Sequence, residues 1–213
     1  MPDGPDDIRS IVEQVLRSPD VAALLGGPRA AGPVPSRPRG DSDQGIHGDV
    51  DSAVKAAAAA RRELAGLPLD ARRRLIDAMR RAVIDANESL AREAVAETGL
   101  GNVPDKIAKN LLAALKTPGV EDVEPTAWSD EHGLTLMERA PWGVIGAITP
   151  VTNPTSTIAS NSIGMISAGN AVVFNVHPGA KGVSCRLVAI LNGAIAAAGG
   201  PRNLIAAVAE PTI

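Results

Sequence analysis

Few residues in this sequence are able to do chemistry. Cys185 is the one thiol. It falls in the middle of a segment with helical spacing, away from any helix N-terminus that would lower its pKa, and is read as structural. Of the three histidines, His47 lies in a Gly/Pro-rich stretch and His132 in a polar turn. Neither has a metal-ligand partner at useful spacing, so no metal site is expected. The dinucleotide fingerprint, phosphate loop, zinc-protease and nucleophile-elbow motifs are all missing. What remains are two polar turns at the ends of short apolar runs. Thr149, Pro150, Val151, Thr152, Asn153 and Pro154 close and follow WGVIGAIT (142–149), and Asn175, Val176, His177 and Pro178 close and follow AVVFNV (171–176). If those runs are parallel strands, both turns lie at the carboxyl edge of one sheet, where open α/β sheets bind ligands. His177 could contact an adenine or a phosphate, or could cap the next helix. Lys181 could pair with a phosphate, or be a solvated lysine.

The elements that must position these turns are legible from periodicity. From Trp142 on, apolar runs alternate with helical segments: strand 142–149, helix 154–168, strand 171–176, helix 179–198 ended by Gly199-Gly200, and strand 203–209. That is half of a doubly wound sheet, read as buried strands joined by right-handed crossovers. A half-sheet has an open edge and an unfinished face, so a continuation is expected, together with marginal folding and self-association. Upstream, DVDSAVKAAAAARRELAGL (49–67) reads as an Ala-rich helix. A second helix is opened by Asp70, carries Leu75, Ile76, Met79, Val83, Ala86 and Leu90 at helical spacing, and ends at Gly99 and Gly101. A third runs from Asp105 to Leu115, and Leu134–Arg139 reads as a strand.

The region before Asp49 divides in two. Ile8, Ile11, Val12, Val15 and Leu16 form one helical stripe within residues 1–25, with Asp6 and Asp7 at its start and Ser18-Pro19 at its stop. About three turns are too short to be stable alone, so this helix needs a surface to dock on. Residues 26–48 read as a disordered or extended Gly/Pro-rich linker. A helix on a tether is the architecture of a targeting tag, and equally of an arm folding back on its own domain or on a sister subunit.

Composition excludes several classes. The chain is 45% hydrophobic and 21% charged, with a net charge of −3, so it lacks the electrostatic footprint of a nucleic-acid binder. Trp128, Trp142 and Phe174 are the only aromatic residues, so the core must be aliphatic and base-stacking platforms are absent. One cysteine allows no internal disulfide, which fits a reducing cytoplasm. The acidic start does not resemble an export signal, and the apolar runs read as shorter than the roughly 18 residues of a membrane span.

Two longer stretches carry a resemblance. ETGLGNVPDKIAKNLLAALKTPGVEDV (97–123) and APWGVIGAITPVTNPTSTIASNSIGMISAGNAVVFNVHPGAK (140–181) resemble CoA-acylating aldehyde dehydrogenases of the bacterial-microcompartment type. The runs TNPTST (152–157) and VHPGAK (176–181) set this branch apart from the hydrolytic aldehyde dehydrogenases. The resemblance covers about residues 49–213. It implies the first part of the aldehyde dehydrogenase fold, N-terminal helices plus the first half of a Rossmann-like cofactor-binding sheet, with NAD and coenzyme A as partners. The implied reaction converts a short-chain aldehyde, CoA and NAD+ to acyl-CoA and NADH, through a thiohemiacetal on a cysteine thiolate. The family's nucleophile lies on a loop much later in the chain, so this chain is expected to be inactive alone. Asn153 is the implied oxyanion donor. A gapless overlay on the T-P-W-N-F-P pattern of hydrolytic relatives puts Thr152 in that slot, and both stay open. Thr149, Pro150, Val151, Thr152, Asn175, His177 and Pro178 are the implied cofactor contacts, Asn175 standing near the place of a ribose-binding lysine in the hydrolytic relatives. Residues 1–25 resemble an encapsulation peptide, which implies docking of residues 6–17 on a microcompartment shell protein, a location in the compartment lumen and a homo-oligomer at full length. A truncated, non-catalytic cargo or assembly partner is the alternative.

Overall fold

The computed structural model describes residues 42–212, together with positions 10, 13, 14, 17 and 19. Most of the expected docking helix over 6–17 and most of the expected linker lie outside the described residues. Near the N-terminus, positions 13 and 14 are helical, and the Arg17 N–H donates to the Glu13 carbonyl at 3.1 Å.

Four parallel strands form the sheet: β1 (Ile46–His47), β4 (Val144–Ile148), β5 (Ala171–Asn175) and β6 (Ile205–Val208), in the order β1-β6-β5-β4. Val144 pairs with Ala171, Val172 with Ile205, and Ile46 with Ala207. Helix α4 (Pro154–Ser167) joins β4 to β5, and α5 (Lys181–Ala197) joins β5 to β6, the expected strand-helix-strand-helix-strand unit. On the sheet, α1 (Val50–Ala65) buries Ala53, Ala57, Ala60 and Leu64. Its small side chains let the helix approach the strands closely, which is what an aliphatic, Ala-rich core requires. Helix α2 (Leu69–Thr98) buries Leu75, Ile76, Met79, Val83, Ala86 and Leu90 and packs on α4 and α5. It ends at Gly99, whose φ of 67° is left-handed. Helix α3 (Val103–Lys116) packs on α2 and α4. Arg80 of α2, almost fully buried, holds the C-terminal end of α3 by donating to the Ala114 and Thr117 carbonyls.

Several boundaries depart from the sequence reading. The linker does not run to Gly48: Ser42–Gln44 is a 3-10 turn and Ile46–His47 joins the sheet, with both residues buried. This strand exists because of tertiary contacts. Ala207 and Ala209 N–H groups donate to the Gly45 and His47 carbonyls, and the Asn192 amide of α5 donates to the Gln44 and Ile205 carbonyls. Helix α2 is opened by Pro68, with Asp70 already in its first turn, and α3 starts at Val103 under an Asn102 cap whose Oδ1 accepts from the Asp105 N–H at 2.9 Å. Strand β4, read as buried, is half-open with Ile148 84% exposed, because among the described residues it pairs only with β5. Strand β3 (Gly133–Met137) pairs antiparallel with β2 (Thr126–Asp130), which the sequence reading missed, and every residue of this hairpin is exposed. The stretch Pro178–Ala197 is long and apolar enough to cross a bilayer, against the expectation of shorter runs. Here it is a core helix, with Val183, Leu187, Leu191 and Ile195 buried against sheet and helices.

Candidate functional site

The two polar turns meet at the carboxyl edge of the sheet, as their positions after β4 and β5 require. The Thr149 N–H donates to the Asn175 carbonyl at 3.3 Å, extending the β4–β5 ladder by one step. Thr149 is 2% exposed, and its hydroxyl oxygen has no hydrogen-bond partner among the described residues. A buried hydroxyl without a partner costs free energy. Val151 packs on the core, while Thr152 is exposed.

Asn153 occupies the N-cap position of α4, ahead of Pro154 at the first helical position. An asparagine there ordinarily turns its side-chain oxygen onto the helix's free N–H groups. Asn153 makes no such cap. Its Oδ1 instead lies 3.5 Å from the Lys109 Nζ of α3. The Lys106 side chain, 5% exposed, donates its Nζ to the Thr152 carbonyl. Burial, and then the neighbouring charge of Lys109, push the Lys106 ammonium below the ordinary lysine range. A third contact completes this face: the Thr155 hydroxyl donates to the Asn110 Oδ1 at 2.7 Å. Between turn and helix opens a cavity of about 220 Å³, lined by Gly101, Asn102, Lys106, Lys109, Thr152 and Asn153. Lys106 and Lys109 were not among the residues singled out from sequence. The signal was present in DKIAKN (105–110), where polar residues at i, i+3 and i+4 share one helix face.

The second turn is more fully engaged. The Asn175 side-chain amide donates to the Thr212 carbonyl at 2.9 Å. His177 Nδ1 accepts from the Gly179 N–H at 3.0 Å and caps the 3-10 turn Pro178–Ala180, so the capping alternative describes what this ring does. Lys181 pairs with Glu210 at 2.8 Å. The N-terminus of α5 is taken by a carboxylate from α2: Glu97 accepts from the Gly182 and Val183 N–H groups at 2.6 and 2.7 Å. Cys185 is 4% exposed, and burial pushes its thiol up to about 11. At neutral pH it is a protonated core side chain and has no character of a nucleophile.

The aldehyde dehydrogenase family profile matches residues 31–212. The chain belongs to this family. Its similarity runs to the CoA-acylating branch. It is 49% identical to the acetaldehyde dehydrogenase (acetylating) EutE of Salmonella typhimurium over 172 residues, covering 80% of this chain and 36% of that protein. It is 44% identical over 178 residues to a propanal dehydrogenase (CoA-propanoylating) of the same organism, covering 84% and 38%. Among solved structures, a propionaldehyde dehydrogenase from the Clostridium phytofermentans fucose utilisation bacterial microcompartment superposes with a TM-score of 0.76 at 49% identity, over 79% of this chain and 39% of that one. A Rhodopseudomonas palustris propionaldehyde dehydrogenase with bound CoA and an acylated cysteine gives a TM-score of 0.77 at 47% identity, with the same coverage. The α/β architecture is thus the N-terminal part of the aldehyde dehydrogenase fold, and the chain spans little more than a third of the length of these relatives.

Proposed function

We propose that this chain is the N-terminal portion of an NAD-dependent, CoA-acylating aldehyde dehydrogenase that converts a short-chain aldehyde, CoA and NAD+ to acyl-CoA, NADH and a proton. The observation that carries this reading is Asn153. It stands at a helix N-cap without capping, beside a cavity at the ligand edge of the sheet, in a chain 49% identical to an acetylating enzyme. An amide not used on its own helix is free to donate to an oxygen that gains charge, and removing one such donor costs about 10²–10³ in rate. Thr152 offers its backbone carbonyl to Lys106, and Asn153 is the donor proposed here.

The carboxyl-edge residues fit a dinucleotide or CoA by chemistry. Pro150, Val151, Thr152, Asn175, His177 and Pro178 share that edge with Thr149, whose hydroxyl has no partner among the described residues. When bound at this edge, NAD+ would supply the hydride acceptor and CoA the acyl acceptor. The chain's own residues bind and orient: Thr149 donates or accepts at the edge, and Asn153 steadies the carbonyl oxygen. Cys185, buried with a raised thiol pKa, attacks nothing. No other cysteine is present, so the nucleophile must come from outside this sequence and the chain alone should not turn over.

The docking of residues 6–17 on a microcompartment shell protein, assembly into a homo-oligomer and residence in a compartment lumen belong to the same reading. They are supported by the helical stripe in the sequence and by the microcompartment relative. The exposed β2–β3 hairpin, with Leu134 73% and Leu136 60% exposed, favours an assembly role for this part of the chain as well.

The test is NADH formation by the purified 213-residue chain with acetaldehyde or propionaldehyde, NAD+ and CoA. No rate above background is expected. Turnover that disappears in Cys185→Ala would overturn the placement of the nucleophile outside this chain.

A further inference from the structure

We infer that α3 is a clamp on the Thr152–Asn153 turn, with Lys106 and Lys109 as positioning residues that hold the Asn153 amide with its NH₂ free to donate. The inference rests on Asn153 being the oxyanion donor, and it accounts for how an asparagine at a helix start escapes capping that helix.

Thr152 and Asn153 of the turn and Thr155 in the first turn of α4 are held from one face of α3. Lys106 takes the Thr152 carbonyl, Lys109 stands 3.5 Å from the Asn153 Oδ1, and Asn110 receives the Thr155 hydroxyl. These residues lie at i, i+3 and i+4, the spacing at which helix side chains share a face. Lys106 carries the stronger argument. It is 5% exposed, and an ammonium out of water is costly unless it is matched by good acceptors. A methionine would fill the same volume without that cost. The charge is spent on the one carbonyl that precedes Asn153, and the peptide group it grips contains the Asn153 N–H.

Lys109 sets the side chain. Oδ1 and Nδ2 of an asparagine sit on opposite sides of one carbon, so a cation drawing in the oxygen turns the NH₂ the other way.

The test uses nuclear magnetic resonance on the full chain, with Lys106→Met, Lys109→Met and Lys109→Arg, each first checked for an unchanged fold by its thermal midpoint. A cation on Oδ1 strengthens the double-bond character of the side-chain Cγ–Nδ2 bond and slows its rotation. Lys109→Met should therefore speed the exchange between the two Asn153 Nδ2 protons by about twofold to tenfold, the equivalent of one ordinary hydrogen bond. Lys109→Arg should restore the slow rate, which a purely structural role would not demand. Lys106→Met should move the backbone ¹⁵N signal of Asn153, because the carbonyl on the other side of that peptide loses its donor. If neither signal responds in folded variants, the clamp is overturned. If both respond while Asn153→Ala leaves full activity when the chain is completed by a cysteine-bearing portion, the clamp stands and the catalytic reading of Asn153 falls.

Discussion

Glu97 joins the last turn of α2 to the first turn of α5, and its removal should be among the most costly changes at any exposed position of the fold. The carboxylate accepts from the Gly182 and Val183 N–H groups at 2.6 and 2.7 Å. These are two of the free donors at the start of a helix, where the macrodipole also favours negative charge. A hydrogen bond to a charged group contributes about 1.5–3 kcal/mol when well shielded, and the dipole about 0.3–1 kcal/mol. Solvent screening at this exposed residue favours the lower ends, and the released N–H groups regain water, so Glu97→Ala should cost about 2 kcal/mol. For a domain of this size that is a fall of about 4–8 °C in the melting midpoint. Urea unfolding of the two proteins, followed by far-ultraviolet circular dichroism, reads the difference directly. Glu88→Ala is the control, because among the described residues Glu88 pairs with Arg92 on the surface of the same helix, with both side chains about two-thirds exposed. Pairs of that kind contribute about 0–1 kcal/mol. Equal, small losses in the two variants would refute the view that Glu97 is a structural link between helices.

Other outcomes follow from the same geometry. Gly45→Ala should destabilise by about 2 kcal/mol or more in urea unfolding, since φ is +85° there and a methyl group would collide with the Ile205 carbonyl and the Asn192 amide. Arg80→Met should cost about 2–4 kcal/mol, because the Ala114 and Thr117 carbonyls at the end of α3 lose their donor; a loss below about 1 kcal/mol would contradict this. The Cys185 thiol, raised from 9.0 to about 11 by burial, should react with a disulfide reagent about 100-fold more slowly in the folded chain than in urea at neutral pH. The folded state holds this proton longer than the unfolded one, so the contribution of Cys185 to stability should fall as pH rises from about 9 toward about 11; Cys185→Ala should abolish that slope. Leu134→Lys with Leu136→Lys should shift the chain toward monomer in sedimentation, since both side chains stand exposed on β3.

How much of this could be read beforehand depended on how local the determinants were. The alternation from β4 to β6 and the apolar stripe of α2 were legible because each element carries its own periodicity. Strand β1 was not. Its two residues have no pattern, sit among glycines, and are held by carbonyls serving Ala207 and Ala209 and by an amide from α5. The openness of β4 was hidden for a related reason: WGVIGAIT is apolar whether or not a neighbour covers it. At the site, the sequence pointed to Asn153 and its turn but not to Lys106 and Lys109, about 45 residues earlier, because a buried lysine reads as a solvated one until the fold brings a carbonyl to it. His177 went the other way. Its place after a strand suited a ligand, and the structure gives its Nδ1 to the Gly179 N–H.

The central claim, that this chain brings the oxyanion amide to a nucleophile carried elsewhere, is tested most directly by completing it. The chain would be joined to the remaining portion of the Salmonella typhimurium acetylating enzyme, to which it is 49% identical, and NADH formation from acetaldehyde and CoA compared with and without Asn153→Ala. A working hybrid that loses about 10²–10³ in kcat with Asn153→Ala, and nothing with Cys185→Ala, is the expected result. A hybrid whose kcat is unmoved by Asn153→Ala would contradict the account.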